Sequence, residues 1–125
     1  MRLVLLICLM ASTSWTNEIP NIAGVWTDAP AETIKNAYMV VSQSGSKLKM
    51  VHHLEWNGKS FVEEGKGTID QDGKIQWKVI VTTQIPGWAT AGDHSLKFDP
   101  KSDKLVGEYK DNKGNVGPLA FYKLR

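Results

Sequence analysis

Cysteine is almost missing from this chain. There is one, Cys8, in 125 residues, and it lies inside the first sixteen. Residues 17–125 therefore hold no disulfide, no thiolate nucleophile and no cysteine-ligated metal, and their stability rests on a core and a sheet. Long apolar runs are missing too. The longest, Leu3 to Met10, is eight residues, against the roughly 20 a membrane-spanning helix needs, so no membrane span is expected. Charge of one sign is also lacking: 15 Lys and Arg face 13 Asp and Glu, a net of +2, which gives no basic footprint for nucleic acid. No G-x-x-x-x-G-K-[ST] phosphate loop and no G-x-S-x-G elbow occurs, so neither nucleotide cradling nor serine-hydrolase chemistry is supported. What remains, 42% hydrophobic and 22% charged residues, is the composition of one globular domain.

Residues 1–16 read as a secretory signal. Arg2 supplies the positive start, residues 3–10 the apolar stretch, and Ala11-Ser12-Thr13-Ser14 the small residues before a cleavage point after Ser14 or Thr16. The alternative is a buried N-terminal strand. Ile7 precedes Cys8 where a lipoprotein signal needs a small residue, so no lipid anchor is expected. The expected organisation is a signal peptide over 1–16 and one domain over 17–125, secreted or periplasmic.

Turn residues then recur at short intervals: Ser44-Gly45, Asn57-Gly58, Asp72-Gly73, Pro86-Gly87, Pro100 to Asp103, and Asp111 to Gly114. Between them the period is two. Leu48, Met50, His52, Leu54 and Trp56 share one face of a strand, and Ile75, Trp77, Val79 and Val81 share one face of another. Ile80 breaks that alternation. Strands are expected near 22–28, 37–43, 47–56, 59–69, 74–84, 93–99, 104–110 and 116–124. Asn57-Gly58 and Asp72-Gly73 tolerate positive φ at a tight corner, so neighbours pair antiparallel in a meander. Gly65 and Gly67 mark a bulge or a sharp bend that lets the sheet curl. The expected fold is all-β: eight antiparallel strands in up-and-down order, closed into a barrel. One or two helical turns are expected only within Ala29 to Ala37.

Gly24-Val25-Trp26 on the first strand, the run of hairpins, and basic Lys123 and Arg125 at the end of the last strand resemble the calycin group of lipocalin-like and avidin-like barrels. The resemblance implies that the Trp26 indole plugs one barrel end beneath Lys123 or Arg125, a cation–π contact with a structural role. The chain departs from that group in lacking a T-D-Y motif and a disulfide. Trp26-Thr27-Asp28 and the ending Phe121 to Arg125 look avidin-like, but the polar biotin-binding set has no counterpart, so biotin binding is not implied.

Chemistry-bearing residues are few. His53 and Glu55 share one strand face and His52 lies on the other, so no more than two of them reach one metal. His94 has no sequence signal placing it nearby, and no metal or other cofactor is expected. Glu63 and Glu64 point to opposite faces. Glu63 shares its face with Phe61; it either points inward, with a raised pKa, or is turned to solvent by a bulge near Gly65, and the second is the expectation. The aromatics say more. Trp56, Trp77, Phe98, Tyr109 and Phe121 occupy inward rows and either fill the barrel or line a pocket, whereas Trp88 is expected to be exposed on the apolar loop Ile85 to Gly92, as a lid, a partner-binding tip or a plug. Small inward Gly24, Gly67 and Gly107 would leave a cavity.

The leading expectation is a non-catalytic, monomeric binding protein that holds a small, mainly apolar molecule. Met50, His52, Trp56, Trp77, Trp88, Phe98 and Tyr109 are the candidate ligand contacts. Second comes an interaction or inhibitor protein acting through loops 29–37 and 85–92 around a filled barrel. Third is an enzyme with His52 or Glu63 as the acid or base in the lumen.

Overall fold

The computed structural model describes residues 18–124. The signal expected over 1–16, with Cys8, and the terminal Arg125 lie outside the described residues. Eight strands follow in order: β1 (Gly24–Asp28), β2 (Ile34–Ser44), β3 (Lys47–Trp56), β4 (Lys59–Ile69), β5 (Lys74–Val81), β6 (Ala91–Asp99), β7 (Lys104–Asp111) and β8 (Val116–Lys123). Each pairs antiparallel with the next, and β1 pairs with β8, closing the barrel. The fold is thus an all-β, eight-stranded meander. No helix among the described residues is long and apolar enough to cross a membrane.

Alternation places the core. Trp26, Met39, Met50, Phe61, Trp77, Leu96, Leu105 and Phe121, one or more from every strand, point inward. Ile80 points outward, 63% exposed, so its strand alternates without a break. The hairpin turns fall where the dipeptides predict them. Gly45, Gly58, Gly73 and Gly114 all adopt positive φ, and Asn57 joins Gly58 there, as a primed turn requires.

Three expectations are corrected. No helix forms over 29–37. β2 starts at Ile34, and its register slips between Lys35 and Tyr38, where Asn36 takes a φ of 49°. That bulge breaks the period of two and hides the strand start from a pattern reading. Gly65 and Gly67 mark no bulge either, since β4 pairs with β3 and β5 in unbroken register. They mark close approach: a Cβ at Gly67 would overlap the Gln76 carbonyl oxygen, and one at Gly107 the Ser95 carbonyl oxygen. These glycines therefore let neighbouring strands fold tightly against each other and leave no cavity at their own positions. Gly24, beside Val41, also lies at the packed end.

The two barrel ends differ. At one, residues before β1 cross the opening. Ile22 is fully buried, its N–H donates to Gln43 Oε1 (2.8 Å), and Gln43 Nε2 donates to the Pro20 carbonyl (2.9 Å). Trp26 sits beneath this segment, its Nε1–H donating to the Ile22 carbonyl (2.9 Å). Lys123 Nζ lies 5.2 Å over the Trp26 ring and donates to the Ala23 carbonyl (3.0 Å), while Phe98 meets the indole edge-on at 6.3 Å. At the other end no segment among the described residues crosses the opening in this way. A smaller cluster of Ala37, Leu54, Phe61 and Val81 is joined there by Ile34, Trp56, Ile85 and Trp88.

Candidate functional site

Between the packed end and this second cluster lies a cavity of about 300 Å³, at the small end of the range for ligand sites. Its apolar wall includes Leu54, Trp56, Val79, Val81, Trp88 and Leu119. Its polar lining includes Asp28, His52, Glu63, His94 and Tyr109.

The floor is built on His52. Its neighbour across the β3–β4 ladder is Glu63, whose Oε1 lies 2.8 Å from His52 Nδ1. The other ring nitrogen, Nε2, reaches past β2 to Asp28 Oδ1 on β1 at 2.7 Å. Phe121 meets the imidazole edge-on at 5.6 Å. The His52 side chain is 3% exposed, and those of Glu63 and Asp28 are 9% and 14% exposed. Burial works to lower the His52 pKa, but the hydrogen bonds to Asp28 and Glu63 and the charges behind them outweigh it and lift the ring from 6.5 to about 9. At neutral pH His52 is an imidazolium donating from both nitrogens, a charge buried together with its partners.

His94, on β6, is the opposite case. Burial dominates and drives its pKa from 6.5 down to about 4; the attraction of Glu63 does not offset that, and the positive His52 adds to it. The tautomer is fixed by geometry. Trp77 Nε1 lies 2.8 Å from His94 Nδ1, and an indole nitrogen can only donate, so Nδ1 is bare and the proton sits on Nε2. Of two histidines in one cavity, one is thus charged and the other neutral at pH 7.

An aromatic group stands at the mouth. Trp88 packs at 5.2 Å from Trp56 and 4.9 Å from Phe61, tilted to both. It is half-buried, where the sequence led us to expect an exposed side chain. Gly87 comes so close to Trp56 that a Cβ there would lie 3.3 Å from the indole. The connection between β5 and β6 that carries Trp88 is fastened to the β7–β8 turn: Asn112 Nδ2 donates to Thr90 Oγ1 (2.6 Å) and Lys113 Nζ to the Gly87 carbonyl (3.2 Å).

Of the sequence-predicted contacts, His52, Trp56, Trp88 and Tyr109 line this cavity. Met50, Trp77 and Phe98 lie in the packed half, Met50 filling the space over Gly65 and Trp77 reaching the site only through His94. Glu63 corrects an expectation. It points inward, because unbroken register through Gly65 keeps it on the face of Phe61. His53 is on the outer wall, where its Nδ1 donates to the Asn36 carbonyl (2.9 Å) and pins the β2 bulge. Asp28 went unrecognised in the sequence, though its signal is simple: two residues after Trp26 on the same strand, it shares the inward face. Among the described residues no group of three or more His, Cys, Asp or Glu side chains is arranged to hold a metal ion. Set against protein-family models, curated proteins and solved structures, the chain matches none.

Proposed function

We propose that this protein is an extracytoplasmic, calycin-like binding barrel that holds one small, mainly apolar molecule in the open half of its lumen. One observation carries the reading: a cavity of about 300 Å³ with an aliphatic and tryptophan wall and several polar side chains gathered at its floor. Trp56 and Trp88 supply contact area at little entropic cost, and Leu54, Val79, Val81 and Leu119 complete an apolar sleeve. The packed end supplies the rigidity that keeps such a cavity open. The secreted or periplasmic location rests on the signal pattern of residues 1–16.

The two competing readings draw less support. An interaction protein acting through loops 29–37 and 85–92 around a filled barrel needs a projecting Trp88 and a full lumen, whereas Trp88 turns back onto Trp56 and Phe61 and the lumen holds a cavity of about 300 Å³. An acid or base at His52 or Glu63 needs a group free to exchange a proton with a substrate, whereas both His52 nitrogens face carboxylates and Glu63 Oε1 is committed to His52.

Native mass spectrometry of the protein from its own source tests the reading, together with methyl NMR of Leu54, Val79, Val81 and Leu119 on adding propylbenzene. Retained mass, or saturable shifts confined to these methyls, is the expected result. A ligand-free mass with no methyl response would sink it.

A further inference from the structure

The cavity floor says more than that something apolar is held there, and this step rests on the binding reading above. Among the described residues no buried side-chain nitrogen or oxygen lacks a partner. His94 Nε2, Asp28 Oδ2 and Glu63 Oε2 have no hydrogen-bond partner among those residues, so each keeps some accessible surface, and all three side chains line the cavity. Besides the Tyr109 hydroxyl, the floor therefore offers one N–H donor and at least two carboxylate acceptors. The donor's identity is fixed by Trp77, which occupies the other nitrogen of His94 and leaves Nε2 protonated. Of the two carboxylates, Glu63 exerts the stronger attraction on His94.

This set discriminates among head groups. An ammonium satisfies the carboxylates but offers no lone pair to His94 Nε2–H and meets an imidazolium, His52, in the same layer. A carboxylate ligand could accept from His94, but two acids against one imidazolium give the floor a net negative charge when both are ionised, and like charge in a desolvated site is costly. A ketone or ether can accept from His94 Nε2–H but has no proton for the carboxylates, whose free oxygens are left without a donor. A hydroxyl does both: its oxygen accepts from His94 Nε2–H and its proton goes to a carboxylate. The volume sets the size. At roughly 30 Å³ per water in the liquid, 300 Å³ corresponds to a body of about ten non-hydrogen atoms, one or two rings.

We propose that the ligand is a neutral, compact alcohol or phenol, its hydroxyl bridging His94 Nε2–H and the Glu63 carboxylate and its apolar body lying between Trp56, Trp88 and Leu119. The bridge is a charge-assisted hydrogen bond on one side and a neutral one on the other, the geometry that rejects an analogue lacking the hydroxyl.

Calorimetric titration of four probes with one skeleton tests this: 4-propylphenol, propylbenzene, 4-propylbenzoate and 4-propylbenzylammonium. The phenol is expected to bind at least tenfold more tightly than each of the others, with propylbenzene binding measurably. On the intact protein, the His94 Nε2 resonance in a long-range nitrogen–proton spectrum is expected to shift with the phenol and to stay in place with propylbenzene. In His94→Gln the phenol-to-propylbenzene affinity ratio is expected to fall to under threefold. Equal affinity for phenol and propylbenzene, or tighter binding of the ammonium or the benzoate, overturns the hydroxyl assignment and leaves the binding reading standing. Failure of all four to bind overturns the hydroxyl assignment, and together with a ligand-free native mass it overturns both. Should His94→Gln not fold, the probe ratios and the resonance decide on the unmodified protein.

Discussion

The two halves of the barrel use the same strands and much the same residue types, yet one is solid and the other hollow. Tryptophan makes the difference visible. Trp26 is fully buried, its N–H bonded to the chain that crosses above it, its face under Lys123 and its edge against Phe98. Trp56 and Trp88 stay partly exposed and lean on each other around an opening. No long-range design is needed to explain this. Residues 18–23 cross one end, and among the described residues the other receives a loop fastened to the turn beside it. Between the halves lies a polar layer of Asp28, His52, Glu63 and His94. The two halves divide the labour: one makes the fold stable, and the layer and the half above it are then free to remain unfilled.

The sharpest way to break that comparison is to remove the plug. Trp26→Ala is expected to cost about 3–5 kcal/mol, since it deletes a fully buried indole from a site whose walls are held on all sides. Urea denaturation measures it. A loss under about 1 kcal/mol would mean that stability does not reside in the closed end.

Next in size is the polar layer, and its sign can be worked out. His52 has a folded pKa raised from 6.5 to about 9, so its contribution is complete below pH 6.5 and is lost as pH rises through 9. His94 has a folded pKa lowered to about 4, so the unfolded chain takes up its proton first and stability is lost as pH falls from 6.5 towards 4. Together they give a stability maximum near pH 6.5, with each limb on the order of 3 kcal/mol. Denaturation midpoints at pH steps from 4 to 9.5 trace both limbs, and His52→Gln is expected to flatten the alkaline one. A flat profile above pH 6.5, or a His52 ring titrating near 6.5 by NMR, would separate the histidine from its carboxylates.

The packed half was legible in the sequence because its rule is strict. A period of two and glycine-containing turns determine which side chains meet, and an eight-stranded meander leaves few ways to close. The hollow half was legible only in part. Alternation puts His52 on an inward face, whereas Gly65 reads as a bulge that turns Glu63 to solvent and His94 carries no signal placing it nearby; which of these groups meet depends on barrel shear and on how far β1 leans across β2 towards β3, and no local pattern encodes that. Asp28 and His52 are 24 positions apart. The bulge at Asn36 hid the start of β2 for a related reason: one left-handed residue, steadied by His53 from the next strand, resets the period. Glycine misled in the other direction. Gly67 and Gly107 looked like missing volume, whereas the neighbouring backbone already fills the space a side chain would take.

That last point gives a third prediction, smaller than the first two. Gly67→Ala is expected to destabilise by about 1–3 kcal/mol, because its Cβ meets the Gln76 carbonyl, a backbone atom that cannot move alone. Gly65→Ala, two residues away, meets only the flexible end of Met50, at 2.9–3.3 Å, and is expected to cost less. Paired thermal melts compare them, and equal losses would show that the packed half tolerates backbone and side-chain crowding alike.

The smallest effect on stability, and the most informative for function, belongs to Trp88. Its indole packs on Trp56 and Phe61 but lies outside the deep core, so Trp88→Ala is expected to change unfolding free energy by no more than about 1 kcal/mol. The same change removes one wall of the cavity, and propylbenzene affinity is expected to fall roughly tenfold, a loss of about 1.4 kcal/mol in binding. The halves are then separable by mutation: Trp26 governs stability, and Trp88 governs occupancy. A Trp88→Ala protein that melts as early as Trp26→Ala would place the loop in the core and remove the distinction. One that melts like the parent and binds like the parent would show that the mouth contributes nothing to the ligand, and would confine recognition to the polar floor.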